Sequence, residues 1–275
     1  MRICNNFLAT AIGLAVLVSP LHAQSNAKPA AAYTPEVGQA GKDVIWVPTS
    51  QALVNRMLDM AKLTPQDILV DLGSGDGRTV ITAAKRGAMA RGIEFNPDLV
   101  AMSQRAAAAE GVAARARFEH ADIFKSQFSD ATVVTLFLLP SLNERLRPIL
   151  LDMRPGTRVV ANSFRMGDWE PDLTSHVADG CTSYCEAHLW IVPAKVAGTW
   201  TLDGKPLQFT QTYQRIDGAL RDGARTTHLN DSRIDGANIS FSIGNTQYMG
   251  VVDGNQMRGT TAGGVPWIAQ RVEVK

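Results

Sequence analysis

From residue 49 onward the chain alternates between two rhythms. Leu53, Val54, Met57, Leu58 and Ala61 recur three and four positions apart, the spacing of one helical face. Thr49 or Ser50, just ahead of them, can accept from the first free helical amides as a cap. Short segments at 67–71, 91–94, 116–120, 131–138 and 157–162 each read as a strand. The run at 131–138 is β-branched and almost unbroken, as a strand buried on both faces requires. Between the runs lie helical stretches. One carries Val80, Ile81 and Ala84; a second opens at Asn96-Pro97 and stops at Gly111; a third covers 141–153, with Pro148 placed to bend it. Strand–helix alternation of this kind predicts an α/β fold with a parallel sheet covered on both faces.

After residue 195 the helical period disappears. Alternating runs at 207–214, 237–243, 247–252 and 266–274 are separated by glycines, and Asp203-Gly204, Asp222-Gly223 and Asp253-Gly254 are hairpin signals. This predicts a C-terminal antiparallel β domain or small barrel, with Trp200, Phe209, Tyr213, Phe241, Tyr248 and Trp267 in its core. The expected organisation is a leader at 1–23, a mobile linker at 24–44 rich in Ala, Gln, Pro and Gly, an α/β domain at 45–195 and a β domain at 196–275.

The leader rests on Arg2, an apolar run at 7–18, a break at Ser19-Pro20 and the small residue Ala23, the pattern of a secretory signal. The run is too short to cross ~30 Å of hydrocarbon. A periplasmic or secreted location follows, without a stable membrane anchor after cleavage; the chain is cytoplasmic if the signal is not used. Cys4 leaves with the leader, and Cys181 and Cys185 remain as a C-x-x-x-C pair, in an oxidising compartment most simply a local disulfide. His176 and His188 lie near it at no standard zinc spacing, so no metal is expected. With 45% hydrophobic and 19% charged residues the composition is globular, and 27 Lys+Arg against 26 Asp+Glu give a net charge of +1. No strong field selects nucleic acid, and none is expected as a partner.

The candidate chemistry lies in Asp71-Leu72-Gly73-Ser74-Gly75-Asp76-Gly77-Arg78, between the first strand and its helix. A dinucleotide fingerprint would place glycine where Arg78 stands; G-x-G-x-G preceded by an acid suits a cationic or hydroxyl-rich ligand without pyrophosphate. Glu94 ends the second strand about 18 residues after Asp76, near the ~20 at which such folds set a carboxylate against ribose hydroxyls. Asp122 follows the third strand and can accept from an exocyclic amine while Phe95 or Phe124 packs on a base. Three acids at consecutive strand ends beside one glycine loop predict a nucleoside site.

On these residues the chain resembles the class I S-adenosylmethionine-dependent methyltransferases, over roughly 47–193. Val47-Pro48-Thr49, the 71–78 loop, Leu136-Phe137-Leu138-Leu139-Pro140 and Asn143 are similar to a prokaryotic branch related to mitochondrial protein-lysine methyltransferases. The resemblance implies a Rossmann-like sheet and S-adenosylmethionine as cofactor. It sets Thr49, Asp71, Gly73, Ser74, Gly75 and Gly77 at its methionine end, Glu94 at the ribose and Asp122 at the adenine, with Phe95 and Ile123 completing the set and 136–140 lining the methyl-transfer channel. The implied acceptor is a protein side chain, lysine among them, or a small amine. The alternatives are an exported nucleoside-binding protein that keeps the fold without turnover, and an interaction protein whose β domain acts. The fourth strand runs into Leu-Leu-Pro rather than the Asn/Asp-Pro-Pro-Tyr/Phe of amino-group nucleic-acid methyltransferases, which argues against base methylation. Asn143, Glu144, Asn162 and Asp168 are candidates for handling the acceptor's proton, with no spacing that singles one out. Phe164 or Trp169 could wall a methylammonium pocket, core packing being the simpler reading.

Overall fold

The computed structural model describes Met1 and residues 33–272, so residues 2–23 of the expected leader and 24–32 of the expected linker lie outside the described residues. The chain comprises two units, Met1–Tyr33 and Thr34–Lys275, and everything below belongs to the second. Its first helix, α1 (Gln51–Met60), starts where Ser50 Oγ accepts from Leu53 N at 3.2 Å, and buries Leu53, Val54, Met57 and Leu58. β1 (Ile68–Leu72), α2 (Arg78–Lys85), β2 (Met89–Glu94), α3 (Pro97–Ala109), β3 (Ala116–His120), β4 (Val133–Leu136), α4 (Pro140–Leu151) and β5 (Arg158–Asn162) then alternate as predicted. Asn96 caps α3 by accepting from Asp98 N and Leu99 N, ahead of proline at the first helical turn. Pro148 sits inside α4, which continues to Leu151.

Two further strands, β6 (Leu173–His176) and β7 (Glu186–Ile191), widen the expected all-parallel sheet to seven strands in the order β3-β2-β1-β4-β5-β7-β6. β7 runs antiparallel to both β5 and β6. Their sequences hide them: β6 is a mostly exposed Leu-Thr-Ser-His edge, and β7 carries Glu186 and His188 among its apolar residues. His188 is nevertheless buried, with Nδ1 2.9 Å from Thr174 Oγ1 across the pair. β4 is shorter than the apolar run, because Phe137, Leu138 and Leu139 leave the sheet before Pro140 opens α4. Alternation along β1 sends Leu69 into the core under α1 and α2 and sends Val70 and Leu72 into the core under α4. Gly92, between Asp71 on β1 and Phe118 on β3, lets the 73–77 loop lie flat on the sheet: a Cβ there would stand 2.5 Å from Ser74 Oγ and 2.7 Å from Phe118 Cδ1.

β8 (Gly198–Leu202), β9 (Lys205–Thr212), β10 (Arg215–Asp222), β11 (Arg225–Asp235), β12 (Asn238–Ile243), β13 (Thr246–Asp253), β14 (Gln256–Thr261) and β15 (Pro266–Arg271) form a closed antiparallel barrel, β15 pairing back to β8. Trp200, Phe209, Phe241, Met257 and Trp267 fill its interior, as an eight-stranded barrel of this size allows. Asp203 and Gly204 both take positive φ, the requirement of a type I′ hairpin. At the other two Asp-Gly pairs the turn is shifted by one residue: Asp222 and Asp253 stay in their strands, and Gly223-Ala224 and Gly254-Asn255 make the bends. Tyr213 departs from the expected barrel core. Its ring stacks on Trp169 at 5.9 Å and its hydroxyl donates to Asp168 Oδ1 at 2.8 Å, while Gln214 accepts from Trp169 Nε1 at 3.0 Å. The β9–β10 turn is thereby fastened to the loop that follows β5. Among the described residues no helix is long and apolar enough to cross a membrane.

Candidate active site

A cavity of about 650 Å³ lies at the C-terminal ends of β1, β2 and β4, where the strand order reverses and open α/β sheets bind ligands. The glycine loop forms its floor. Gly73 N and Ser74 N donate to Ile93 O at 2.9 and 3.1 Å, which ties the loop to β2. Gly75 N and Asn96 N each donate to one oxygen of Glu94, both at 2.9 Å, so the carboxylate is fixed at the lip of β2. Thr49, Asp71, Gly73, Ser74, Gly75, Glu94, Phe95, Asp122 and Ile123 all line the cavity. Gly77 lies just outside that lining: at φ +80° it opens α2, and a Cβ there would lie 2.7 Å from the Phe118 ring and 2.8 Å from Ser103. Close packing of α2 against the sheet demands that glycine.

The acids differ in state. Asp71 is 7% exposed and accepts from Thr135 Oγ1 at 2.7 Å. Burial pushes its carboxyl up to about 7, the charges of Glu94 and Asp76 push the same way, and the Thr135 hydroxyl opposes them. Asp76 is clamped by Arg78, whose Nε lies 3.0 Å from both carboxylate oxygens and whose Nη1 donates to Thr49 O at 2.7 Å. Asn162 Nδ2 donates to Thr49 Oγ1 at 3.1 Å. Asp122, expected to wait for an exocyclic amine, already holds Lys42 Nζ at 2.7 Å and Phe124 N at 2.9 Å, and these bonds keep its carboxyl below the usual range. Each of its oxygens retains a further lone pair.

Lys42 arrives on an element absent from the sequence expectation. Gly38 N donates to Trp46 O, Trp46 N to Gln39 O and Gly41 N to Val44 O, each at 2.9 Å, so residues 38–46 form a hairpin where a linker was expected. Lys42 lies over the Phe95 ring at 4.9 Å, and Trp46 Nε1 comes within 2.8 Å of where a Gly75 Cβ would stand. The cavity's other end is aromatic: Phe137, Phe164 and Tyr184 line it with ring centroids 5.2 to 6.1 Å apart. Tyr184 sits inside the loop closed by the Cys181–Cys185 disulfide, the local pair that the cysteine spacing predicts. Trp169, by contrast, is fully buried in the core. The proton-handling candidates also fall elsewhere. Asn143 is buried and donates to Phe164 O and Arg165 O, Asn162 holds Thr49, Asp168 is bound by Arg147 and Tyr213, and none of these three nor Glu144 lines the cavity.

The family model of the ANTKMT methyltransferase domain matches residues 71–173, from the glycine loop to the start of β6. A protein-lysine N-methyltransferase of Saccharolobus islandicus is 42% identical over 140 residues, which span 50% of this chain and 87% of that protein. The crystal structure of an RNA methyltransferase from Salinibacter ruber in complex with S-adenosyl-L-homocysteine is 45% identical and superposes with a TM-score of 0.51, covering 55% of this chain and 96% of that one. The chain belongs to the class I S-adenosylmethionine-dependent methyltransferases. Within that family it is also similar to the adenine nucleotide translocase lysine N-methyltransferase of Mus musculus, 35% identical over 130 residues, which span 46% of this chain and 56% of the mouse protein.

The residues present suit S-adenosylmethionine. Gly73 and Gly75 leave the loop backbone bare beside the cavity, where a Cβ at Gly73 would already meet Leu138 at 3.1 Å. Three carboxyl groups, Asp71, Glu94 and Asp122, match a ligand that carries a sulfonium, an ammonium, vicinal hydroxyls and an exocyclic amine.

Proposed function

We propose that this chain methylates a lysine side chain of a protein, using S-adenosylmethionine. The observation that carries the proposal is that one cavity is lined both by the anchored Glu94 and by the rings of Phe137, Phe164 and Tyr184. In this reading Glu94 accepts from the ribose hydroxyls, Asp122 and Ile123 face the adenine, Phe95 packs on the base, and Thr49, Asp71, Gly73, Ser74 and Gly75 hold the methionine end. When bound, S-adenosylmethionine supplies an electrophilic sulfonium methyl for in-line displacement by an amine. The chain orients the reacting groups, and Leu136, Phe137 and Leu138 keep water from that part of the cavity.

The lysine methyltransferases among its relatives support this acceptor, while the Salinibacter protein points to RNA. Two features of the chain favour lysine. The cationic side chains lining the cavity, Lys42 and Arg78, are both engaged by Asp122 and Asp76 and leave little to hold phosphate. The net charge is also only +1. Incubation with methyl-labelled S-adenosylmethionine and, in parallel, lysine-rich protein and RNA acceptors tests the choice. Label recovered as Nε-methyl-lysine after acid hydrolysis is the expected outcome, and label in RNA alone overturns it.

We further propose export through the leader at 1–23. The Cys181–Cys185 disulfide supports this, since such bonds persist in oxidising compartments. The mature protein isolated from its cell should begin after Ala23; an intact N-terminus in the cytoplasm contradicts export.

A further inference from the structure

The disulfide loop presents an aromatic ring to the cavity through a strained backbone. Tyr184 has φ +54° and Ser163, next to Phe164, has φ +58°, conformations that side-chain-bearing residues adopt at a cost and keep only where the surroundings impose them. The Cys181–Cys185 bond closes the loop around Tyr184, Val177 N donates to Cys185 O at 2.9 Å, and Ser163 N donates to Glu186 O at 2.8 Å. Two loops from separate parts of the sequence are thus pinned to each other where their rings meet. The Phe137 and Phe164 rings lie within 17° of parallel at 6.1 Å, and Tyr184 stands at 61° to Phe137, 5.2 Å away. Tyr184 is 45% exposed although it lines the cavity, so its ring forms the boundary between cavity and solvent.

We propose that Tyr184, clamped by the Cys181–Cys185 disulfide, is the acceptor-recognition residue of this cavity, its ring joining Phe137 and Phe164 in an aromatic collar that takes an alkylammonium side chain. The proposal rests on the methyltransferase reading above and specifies how the acceptor is chosen. Aromatic faces attract a cation, and a quaternary ammonium most selectively. A flexible alkyl chain ending in a cation fits the collar; a nucleotide would bring a phosphate to a cavity whose cationic lining residues, Lys42 and Arg78, are engaged by Asp122 and Asp76. The two cysteines act through Tyr184 and are positioning residues.

The test uses the full protein loaded with S-adenosyl-L-homocysteine. Calorimetry measures binding of two probes, Nα-acetyl-Nε-trimethyl-lysine methylamide and its neutral analogue with carbon in place of the quaternary nitrogen. The wild type should prefer the cation by about tenfold. Tyr184→Ala should lose that preference, Tyr184→Phe should retain it, and the Cys181→Ser, Cys185→Ser double variant should weaken the cation about threefold, with S-adenosyl-L-homocysteine affinity unchanged in all. Equal binding of both probes by the loaded wild type, or wild-type behaviour of Tyr184→Ala, overturns the proposal. Wild-type affinity and preference in the double cysteine variant overturns the clamp. If the wild type does not bind S-adenosyl-L-homocysteine, the methyltransferase reading fails and the collar with it.

Discussion

Replacing Glu94 by alanine should weaken S-adenosylmethionine binding by about a hundredfold while the protein stays folded. Glu94 is held by two backbone amides, Gly75 N and Asn96 N, so its orientation is set before any ligand arrives. A preorganised carboxylate accepting from two ribose hydroxyls makes charge-assisted bonds of roughly 1.5–3 kcal/mol each, and losing both at the low end, about 3 kcal/mol, is on the order of a hundredfold in affinity. The alanine variant also leaves two amides without their acceptor at the lip of the loop. Glu94→Gln separates the two effects, because it retains one carbonyl oxygen and discards the charge; it should fall between alanine and wild type. Calorimetric titration of the three proteins, with matched thermal unfolding, measures this. An affinity within threefold of wild type for Glu94→Ala would mean that the ribose lies elsewhere.

Asp71 should make cofactor affinity depend on pH near neutrality. Its carboxyl is raised to about 7, first by burial and then by Glu94 and Asp76. In the ligand-free protein it is therefore neutral below that pH and charged above it. A cationic cofactor end favours the charged form, so affinity should rise with pH up to about 7 and fall by about tenfold for each unit below it. Stability runs in the opposite sense. The folded state keeps a proton that the unfolded chain releases near 3.8, so Asp71's contribution is fully present below 3.8 and is lost as pH rises through about 7. Cofactor binding and the ligand-free fold thus make opposed demands on one carboxyl, a trade characteristic of functional sites. Asp71→Asn should flatten both profiles, raise the unfolding temperature of the ligand-free protein above pH 7, and bind cofactor at least tenfold more weakly there. A wild-type affinity constant between pH 6 and 8 would assign the cation to another acid.

The parts of this molecule that could be read from sequence are those where one short segment carries its own signal. Gly73, Gly75 and Asp71 sit within one strand–loop–helix unit; Glu94 ends β2 and Asp122 follows β3, each strand a short segment set between helical stretches. Sheet geometry then gathers them without further instruction. The barrel announced itself through alternation and glycine turns. What was hidden depends on partners distant in sequence. Tyr184 gained its place only when its disulfide loop met Phe137 from the end of β4 and Phe164 from the end of β5. The 38–46 hairpin carries its large apolar residues in one block, Val44-Ile45-Trp46, with no alternation to mark a strand, and its Lys42 and Trp46 become walls only against Asp122 and Gly75. Gly77 is indistinguishable in sequence from Gly73 and Gly75, and the Phe118 ring and Ser103 that crowd it come from distant strands and helices. Tyr213 shared the alternation of a barrel strand yet turned outward onto Trp169.

The cleft at the ends of β1, β2 and β4 should work as an S-adenosylmethionine site. The most direct test is calorimetric titration of the purified wild-type protein with S-adenosylmethionine at pH 8, where Asp71 is charged. Saturable one-to-one binding in the micromolar range is the expected result. A folded protein that takes up no S-adenosylmethionine would contradict it.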